Sequence, residues 1–363
     1  MSTSAGSDLL GLLEAASAVA ASDLHLAAAC APLVRIDGRL RTLALPTLSA
    51  QACEDLCHQA LALGRLRRPS SDCECAVGLD DGTRIRASVF RKADTLAAAL
   101  RLVPSSPPHL EMLGLPAACR SLARLEGGLV LITGATGSGK STTLAALIGE
   151  IRERRNAHIV TIEDPIEFVH PPLPPLMSQR EVGRDVPDFA TALRHVLRQD
   201  PDVVLVGELR DRETMRAGLT LAETGHLVLS TLHSTSAIDA ADRLVDAFGA
   251  DEQGRVRQQV ATVLQAVVAQ RLLPRRDGTG RVAACEVLVA TPAVRNLIRE
   301  GKGHQIRAHV QAAGRELGMQ TMEAAVDNLI RAGTVAASNQ GRPSPTPSRS
   351  LVRVAEANTQ SSG

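Results

Sequence analysis

Between residues 134 and 141 the chain reads Gly-Ala-Thr-Gly-Ser-Gly-Lys-Ser, which fits the spacing G-x-x-x-x-G-K-[ST]. Residues of these types in this order do phosphate chemistry. The glycines let successive backbone N–H groups turn toward one anion, and a helix that begins directly afterwards presents its positive end to the same charge. An apolar run, GLVLIT, leads in, and an amphipathic stretch, KSTTLAALIGEI, leads out, so the strand–loop–helix context that the pattern needs is in place. In such a loop Lys140 reaches the β- and γ-phosphates and Ser141 puts its hydroxyl on Mg²⁺. Gly134, Ala135, Thr136, Gly137, Ser138, Gly139 and Thr142 complete the cradle. The ligands this implies are ATP and Mg²⁺.

Hydrolysis asks for more than binding: a carboxylate near the metal and a group that orients water. The run DVVLVGE (202–208) ends in Glu208, whose length suits contact with Mg²⁺ through a bound water. A second acid, Glu163, follows the run HIVTI in the stretch TIEDPIEFVH, and both would arrive in the crevice at the carboxyl ends of a parallel sheet. Glu163 and Glu208 can therefore divide the roles of base and metal partner, and spacing alone leaves either assignment open. Glu167 reads as solvated, and Asp164 precedes Pro165. The stretch AETGHLVLSTLHS carries a histidine on each side of a further apolar run. His233, at the carboxyl end, is placed to sense a γ-phosphate; His226 holds a turn or bridges to a neighbour, and as the second histidine bracketing that run it is counted with the nucleotide-binding residues.

These side chains need a scaffold. The chain has 363 residues, 44% apolar but only 1% aromatic, so its core must be built from Leu, Val, Ile and Ala. Residues 109–337 alternate apolar runs with Gly-rich or polar turns and helical segments, the pattern of an α/β parallel sheet covered on both faces. Residues 1–103 read as a smaller α+β unit. It has a hairpin at Asp37-Gly38, a helix capped by Ser49, and a second hairpin around the DDG at 80–82. The stretch PSSPP (104–108) reads as a linker and the Ser/Pro/Gln/Asn-rich tail 338–363 as disordered.

Forty basic against 39 acidic side chains leave no surplus that would seek a polyanion, so no nucleic acid partner is expected. The seven cysteines are odd in number and scattered, which suits reduced, structural thiols in a cytoplasmic protein. No apolar stretch reaches the ~20 residues that span a bilayer, so membrane contact is expected only through partners.

Taken in order along the chain, the loop at 134–142, TIEDPIEFVH, SQREVG at 178, ALRHVLRQDPDVVLVGELRD and AETGHLVLSTLHS resemble the type IV pilus retraction ATPases of twitching motility, the PilT family within the secretion ATPases. The stretch AVRNLIRE at 293–300 is similar to the signature of that family. The resemblance implies a PAS-like N-terminal domain, a RecA-like P-loop ATPase domain, a homohexameric ring, and action on an inner-membrane pilus platform protein from the inner face of the cytoplasmic membrane. It implies Glu163 as the catalytic base and Glu208 as the Mg²⁺ partner. It also implies arginines from a neighbouring protomer's N-terminal domain at the γ-phosphate, for which Arg84, Arg86 and Arg101 are the candidates, Arg86 and Arg101 foremost. Asp94 stands where the family pattern leads one to expect another Arg, which would fit an accessory retraction paralogue with weak activity. Extension and type II secretion ATPases are the alternative within the superfamily. Against them stand the short N-terminal region and the lack of a four-cysteine insertion. A RecA-like DNA motor is the rival outside it, and few aromatics leave such a motor no stacking platform.

Overall fold

A computed structural model describes residues 8–64, 72–78, 84–103, 106–171, 176–314, 316–337 and 351–352. The chain divides into two compact units, Met1–Ser105 with Pro343–Gly363, and Ser106–Arg342, the break falling inside PSSPP. Pro104 and Ser105 of that stretch, the DDG turn at 80–82, and tail residues 338–350 and 353–363 lie outside the described residues.

The first unit contains α1 (Leu9–Ala18), β1 (Asp23–Leu26), β2 (Leu33–Ile36), β3 (Arg39–Leu43), α2 (Ala50–Leu63), β4 (Cys73–Gly78), β5 (Arg84–Lys92) and β6 (Thr95–Val103). Its strands pair antiparallel in the order β3-β2-β1-β6-β5-β4. The β2–β3 turn is tight because Asp37 and Gly38 both take positive φ, 50° and 80°, which matches the twist of the paired strands. Helix α2 starts where Ser49 Oγ accepts from the Ala52 N–H at 3.1 Å. Leu12 of α1, Leu56 of α2 and Leu24, Val34, Ile85 and Leu100 of the sheet bury one another in a common core. Cys53 and Cys57 belong to that core, and burial pushes the Cys57 thiol up to about 12, so it is inert. Cys30, by contrast, is exposed.

The second unit contains α3 (Ala117–Ser121), β7 (Gly128–Thr133), α4 (Lys140–Arg154), β8 (Ile159–Glu163), β9 (Met177–Glu181), α5 (Phe189–Val196), β10 (Val203–Val206), α6 (Arg212–Glu223), β11 (Leu227–Leu232), α7 (Ala240–Asp246) and α8 (Ala250–Val263). It continues with β12 (Leu264–Pro274), β13 (Arg281–Val289), α9 (Pro292–Arg299), α10 (Gly303–Ala313) and α11 (Met322–Arg331). The strand order is β13-β12-β7-β11-β10-β8-β9, parallel throughout except that β13 returns antiparallel along β12. The α/β architecture expected from the alternating pattern is the one formed.

Why the strands read as continuous apolar runs is visible in β7. Leu129 and Leu131 join the core beneath α5, α6, α7 and α8, whereas Val130 and Ile132 join the core beneath α4. Successive side chains leave opposite faces of a strand, and here each face meets helices, so both sets of positions along Leu129–Ile132 are apolar. The same sheet brings the ends of β7, β8, β10 and β11 to one edge.

Two corrections follow from the structure. The sequence pattern assigned no strand to Met177–Glu181, yet this polar segment is the sheet's edge strand β9. Leu351–Val352, in the tail expected to be disordered, form a last strand, β14, which pairs parallel with β3 at Thr42 and Leu43.

Candidate functional site

The loop that follows β7 has the backbone its glycines permit. Gly134, Gly137 and Gly139 take φ of 140°, 76° and 88°. Gly134 is demanded twice over, because a Cβ there would stand 2.4 Å from the Gln270 carbonyl oxygen; at Gly139 it would stand 2.9 Å from Gln270 Nε2. Gln270, on β12, is buried and accepts from Thr143 Oγ1 at 2.9 Å, tying the first turn of α4 to the neighbouring strand. Sequence reading missed both residues, although a polar side chain inside the buried run VVAQRLL was a signal. The hydroxyl oxygens of Thr133 and Ser138 are buried without protein partners, which marks the loop as built around a polar group.

Lys140 opens α4, and its Nζ donates to the Gly134 and Ala135 carbonyls at 2.8 and 3.0 Å. Ser141 and Thr142 follow in the first turn, half-buried, while Ala135 and Thr136 are exposed at the loop's tip. Burial lowers the affinity of Lys140 for its proton, and the carboxylates of Glu167 and Glu208 raise it. That electrostatic coupling places both acids close to the phosphate loop. Glu167, expected to be merely solvated, is therefore half-buried beside the site, a correction that the loop's fold-back imposes.

Glu163 ends β8. Its Oε1 accepts from Thr161 Oγ1 at 2.7 Å and from Gln179 Nε2 at 3.3 Å, and the carboxylate also accepts from the Glu167 amide. Burial pushes its pKa up; those hydrogen bonds to the ionised form pull it back. A desolvated carboxylate held in one orientation by donors is suited to the role of a general base. The next strand in the sheet, β10, continues into Gly207, whose N–H donates to the Ile162 carbonyl at 2.8 Å, so Glu208 emerges next to Glu163 along the same edge. Glu208 Oε2 lies 3.2 Å from His233 Nε2, just past the end of β11. Arg243 Nη1 donates to the His233 carbonyl at 2.6 Å, and the buried Glu286 accepts from the Ala237 N–H, also at 2.6 Å. The His233 loop is thus held at two points.

The sheet edge brings together the 134–142 loop, Glu163, Glu208 and His233. His226 does not join them. It precedes β11, at the opposite end of that strand from His233, and its Nδ1 lies 3.0 Å from both the Leu221 carbonyl and Thr224 Oγ1. A six-residue strand, roughly 20 Å long, separates the two histidines, so His226 holds a turn and its assignment to nucleotide binding is corrected.

Arg86 and Arg101 belong to the first unit. They are directly opposite each other on β5 and β6, and each is neutralised there. Arg86 Nη2 donates to Glu74 Oε2 at 2.7 Å and Arg101 Nε to Asp23 Oδ1 at 3.0 Å. Asp94 sits in the exposed turn between those strands, where Ala93 takes φ 53°, so it serves a reversal of the chain.

His170, beyond the acidic stretch, is buried, and desolvation with help from Arg152 lowers its pKa to about 4. Its folded-state pKa lies below the unfolded value near 6.5, so the unfolded chain takes up the proton first as pH falls. Stability contributed by neutral His170 is complete above pH 6.5 and drains away toward pH 4, by up to roughly 3 kcal/mol. A His170→Gln chain should lose less stability over that window, as read by denaturant midpoints at pH 7 and pH 4.5; equal losses would count against the assignment.

Residues 11–339 match the family described as Type II/IV secretion system protein. A twitching motility protein of Neisseria gonorrhoeae is 45% identical over 309 residues, 85% of this chain and 82% of its own length. The type IV pilus retraction ATPase PilT of Pseudomonas aeruginosa is 42% identical over 335 residues, 92% of this chain and 96% of its own. Among solved structures, the pilus retraction motor PilT with bound ADP is similar with a TM-score of 0.79 at 40% identity, covering 93% of this chain and 98% of that one.

Proposed function

Because the chain belongs to the Type II/IV secretion system protein family, we propose that it is an ATP-hydrolysing motor that powers type IV pilus retraction. The observation that carries this reading is the convergence of the phosphate loop, Glu163, Glu208 and His233 on one edge of the parallel sheet. Similarity over almost the whole length to a retraction ATPase supports the mechanical assignment.

In this reading ATP lies with its phosphates in the 134–142 loop, where backbone N–H groups and the start of α4 meet the charge. Lys140, released from the Gly134 and Ala135 carbonyls, turns to the β- and γ-phosphates. Glu163 accepts a proton from water as the water oxygen bonds to the γ-phosphorus and the bond from that phosphorus to ADP breaks. His233, held by Glu208, reports the presence of the γ-phosphate to α7 through Arg243.

Mg²⁺ fits the residues present. One carboxylate and one hydroxyl, Glu208 and Ser141, are the donor set this ion uses when phosphates and waters supply the rest. When bound, it neutralises charge between the β- and γ-phosphates.

Six copies would form a ring at the inner face of the cytoplasmic membrane and pass domain motion to an inner-membrane platform protein. Arg86 and Arg101 of one protomer would exchange Glu74 and Asp23 for the γ-phosphate bound by the next. Among the described residues no helix is long and apolar enough to cross a membrane.

Purified chain should hydrolyse ATP only with Mg²⁺. Glu208→Gln should raise the Mg²⁺ concentration for half-maximal rate by about tenfold, since one charge-assisted contact contributes about 1.5 kcal/mol. An unchanged Mg²⁺ dependence removes Glu208 from the metal site. Cells lacking the chain should carry more surface pili and fail to spread, whereas bald cells would assign it to extension.

A further inference from the structure

The edge strand β9 is polar where the other strands are apolar, and its side chains have a use. Parallel pairing sets Gln179 beside Thr161 and Glu181 beside Glu163. Gln179 makes three bonds with one amide. Nε2 donates to Glu163 Oε1 at 3.3 Å and to the Phe168 carbonyl at 2.9 Å, and Oε1 accepts from the His170 N–H at 2.9 Å. Two residues on, Glu181 Oε2 accepts from the Ile166 N–H at 3.2 Å. Both ends of the segment running from Glu163 to His170 are therefore fastened to the same strand.

From this geometry we infer that Gln179 is a positioning residue for ATP hydrolysis: it holds the Glu163 carboxylate toward the reaction edge and pins the acidic loop that flanks it. The inference rests on the proposed role of Glu163 as base. The bonding demands a glutamine. Both Nε2 hydrogens are used, one on the carboxylate and one on a carbonyl, and Oε1 must accept. Glutamate at 179 would supply no donor and would set a second negative charge against Glu163. Methionine would match the shape and make none of the three bonds.

Thr161 contributes a second donor to the same oxygen at 2.7 Å. Thr161 and Gln179 together orient Oε1 from two directions, which fixes the plane of the carboxylate rather than merely its position. Donors to an ionised carboxylate also favour that form against the desolvation that Glu163 suffers. Removing one should leave a base that is both misaligned and harder to keep ionised.

The test uses the full chain and compares kcat against pH for the parental protein, Gln179→Met, Gln179→Glu and Glu163→Gln, with ADP affinity measured in parallel. Gln179→Met should lower kcat by about tenfold and move the acid limb of the profile up by about one pH unit, the worth of one charge-assisted bond. Gln179→Glu, which keeps the shape and the acceptor for His170, should move the limb further in the same direction. ADP affinity should stay within about twofold in both, because Gln179 bonds to Glu163, Phe168 and His170 and to no residue of the phosphate loop. A merely structural residue would lower the amount of active protein without moving the limb. If both Gln179 variants keep the parental acid limb while Glu163→Gln is inactive, Gln179 does not position the base and the inference fails by itself. If Glu163→Gln hydrolyses ATP at the parental rate, the role of Glu163 fails first and the inference falls with it.

Discussion

Replacing Glu163 by glutamine should lower kcat by about 10²–10⁴-fold while leaving ATP binding intact, the cost of removing a positioned general base. The substitution changes one oxygen for an amide nitrogen, so the side chain keeps its size at the end of β8. Thr161 Oγ1 can still donate to the remaining oxygen, which preserves the 2.7 Å contact on which local order depends. What is lost is the capacity to accept a proton from the attacking water. Single-turnover hydrolysis with tight retention of unreacted ATP is the expected signature, and it separates chemistry from binding. A parental rate would transfer the role of base to Glu208, the other acid at the edge.

Lys140→Ala acts on the opposite half of the problem. Lys140 carries the cation at the mouth of the loop, and burial has already made that charge costly to hold without an anionic partner. Its removal should weaken ATP binding by about 10²-fold, roughly 2.7 kcal/mol, which is the scale of charge-assisted hydrogen bonds to phosphate. The fold should persist. The contacts Lys140 makes in this structure are with two carbonyls of its own loop, and none of them joins the loop to the core. Equilibrium titration with a fluorescent nucleotide reads the loss directly, and unchanged affinity would place the nucleotide elsewhere.

The two variants divide the site as its construction does. Binding resides in the loop after β7, where glycine backbone and one lysine suffice; hydrolysis resides on β8 and β10, whose ends the sheet sets side by side.

Much of this was legible in the residues because burial on both faces of a parallel strand leaves a continuous apolar run, and the first polar residue past its end lies at the edge. Glu163, Glu208 and His233 were found in that way. The Asp37-Gly38 turn was legible for a different reason, since few residue pairs accept two positive φ values. What escaped did so where side chains act across the sheet. Met177–Glu181 lacks apolar character because its side chains serve the acidic loop, so hydrophobic pattern cannot reveal it as a strand. Gln270 supports the phosphate loop from a strand that follows it by more than a hundred residues, and only packing brings the two together. Thr95–Val103 is rich in alanine and leucine, residues with little preference for strands, yet forms β6 because β1 and β5 pair with it on either side. His226 shows the converse error: proximity in sequence to His233 suggested a shared site, and the strand between them carries the two to opposite ends of the sheet.

A structure of the Glu163→Gln chain with ATP and Mg²⁺ tests the central claim most directly. The β-phosphate should sit in the 134–142 loop, with Lys140 on the β- and γ-phosphates, Glu208 beside the metal, and the substituted side chain at position 163 facing the water in line with the γ-phosphorus. A triphosphate seated in the loop with the side chains at positions 163 and 208 both turned away from it would contradict the account.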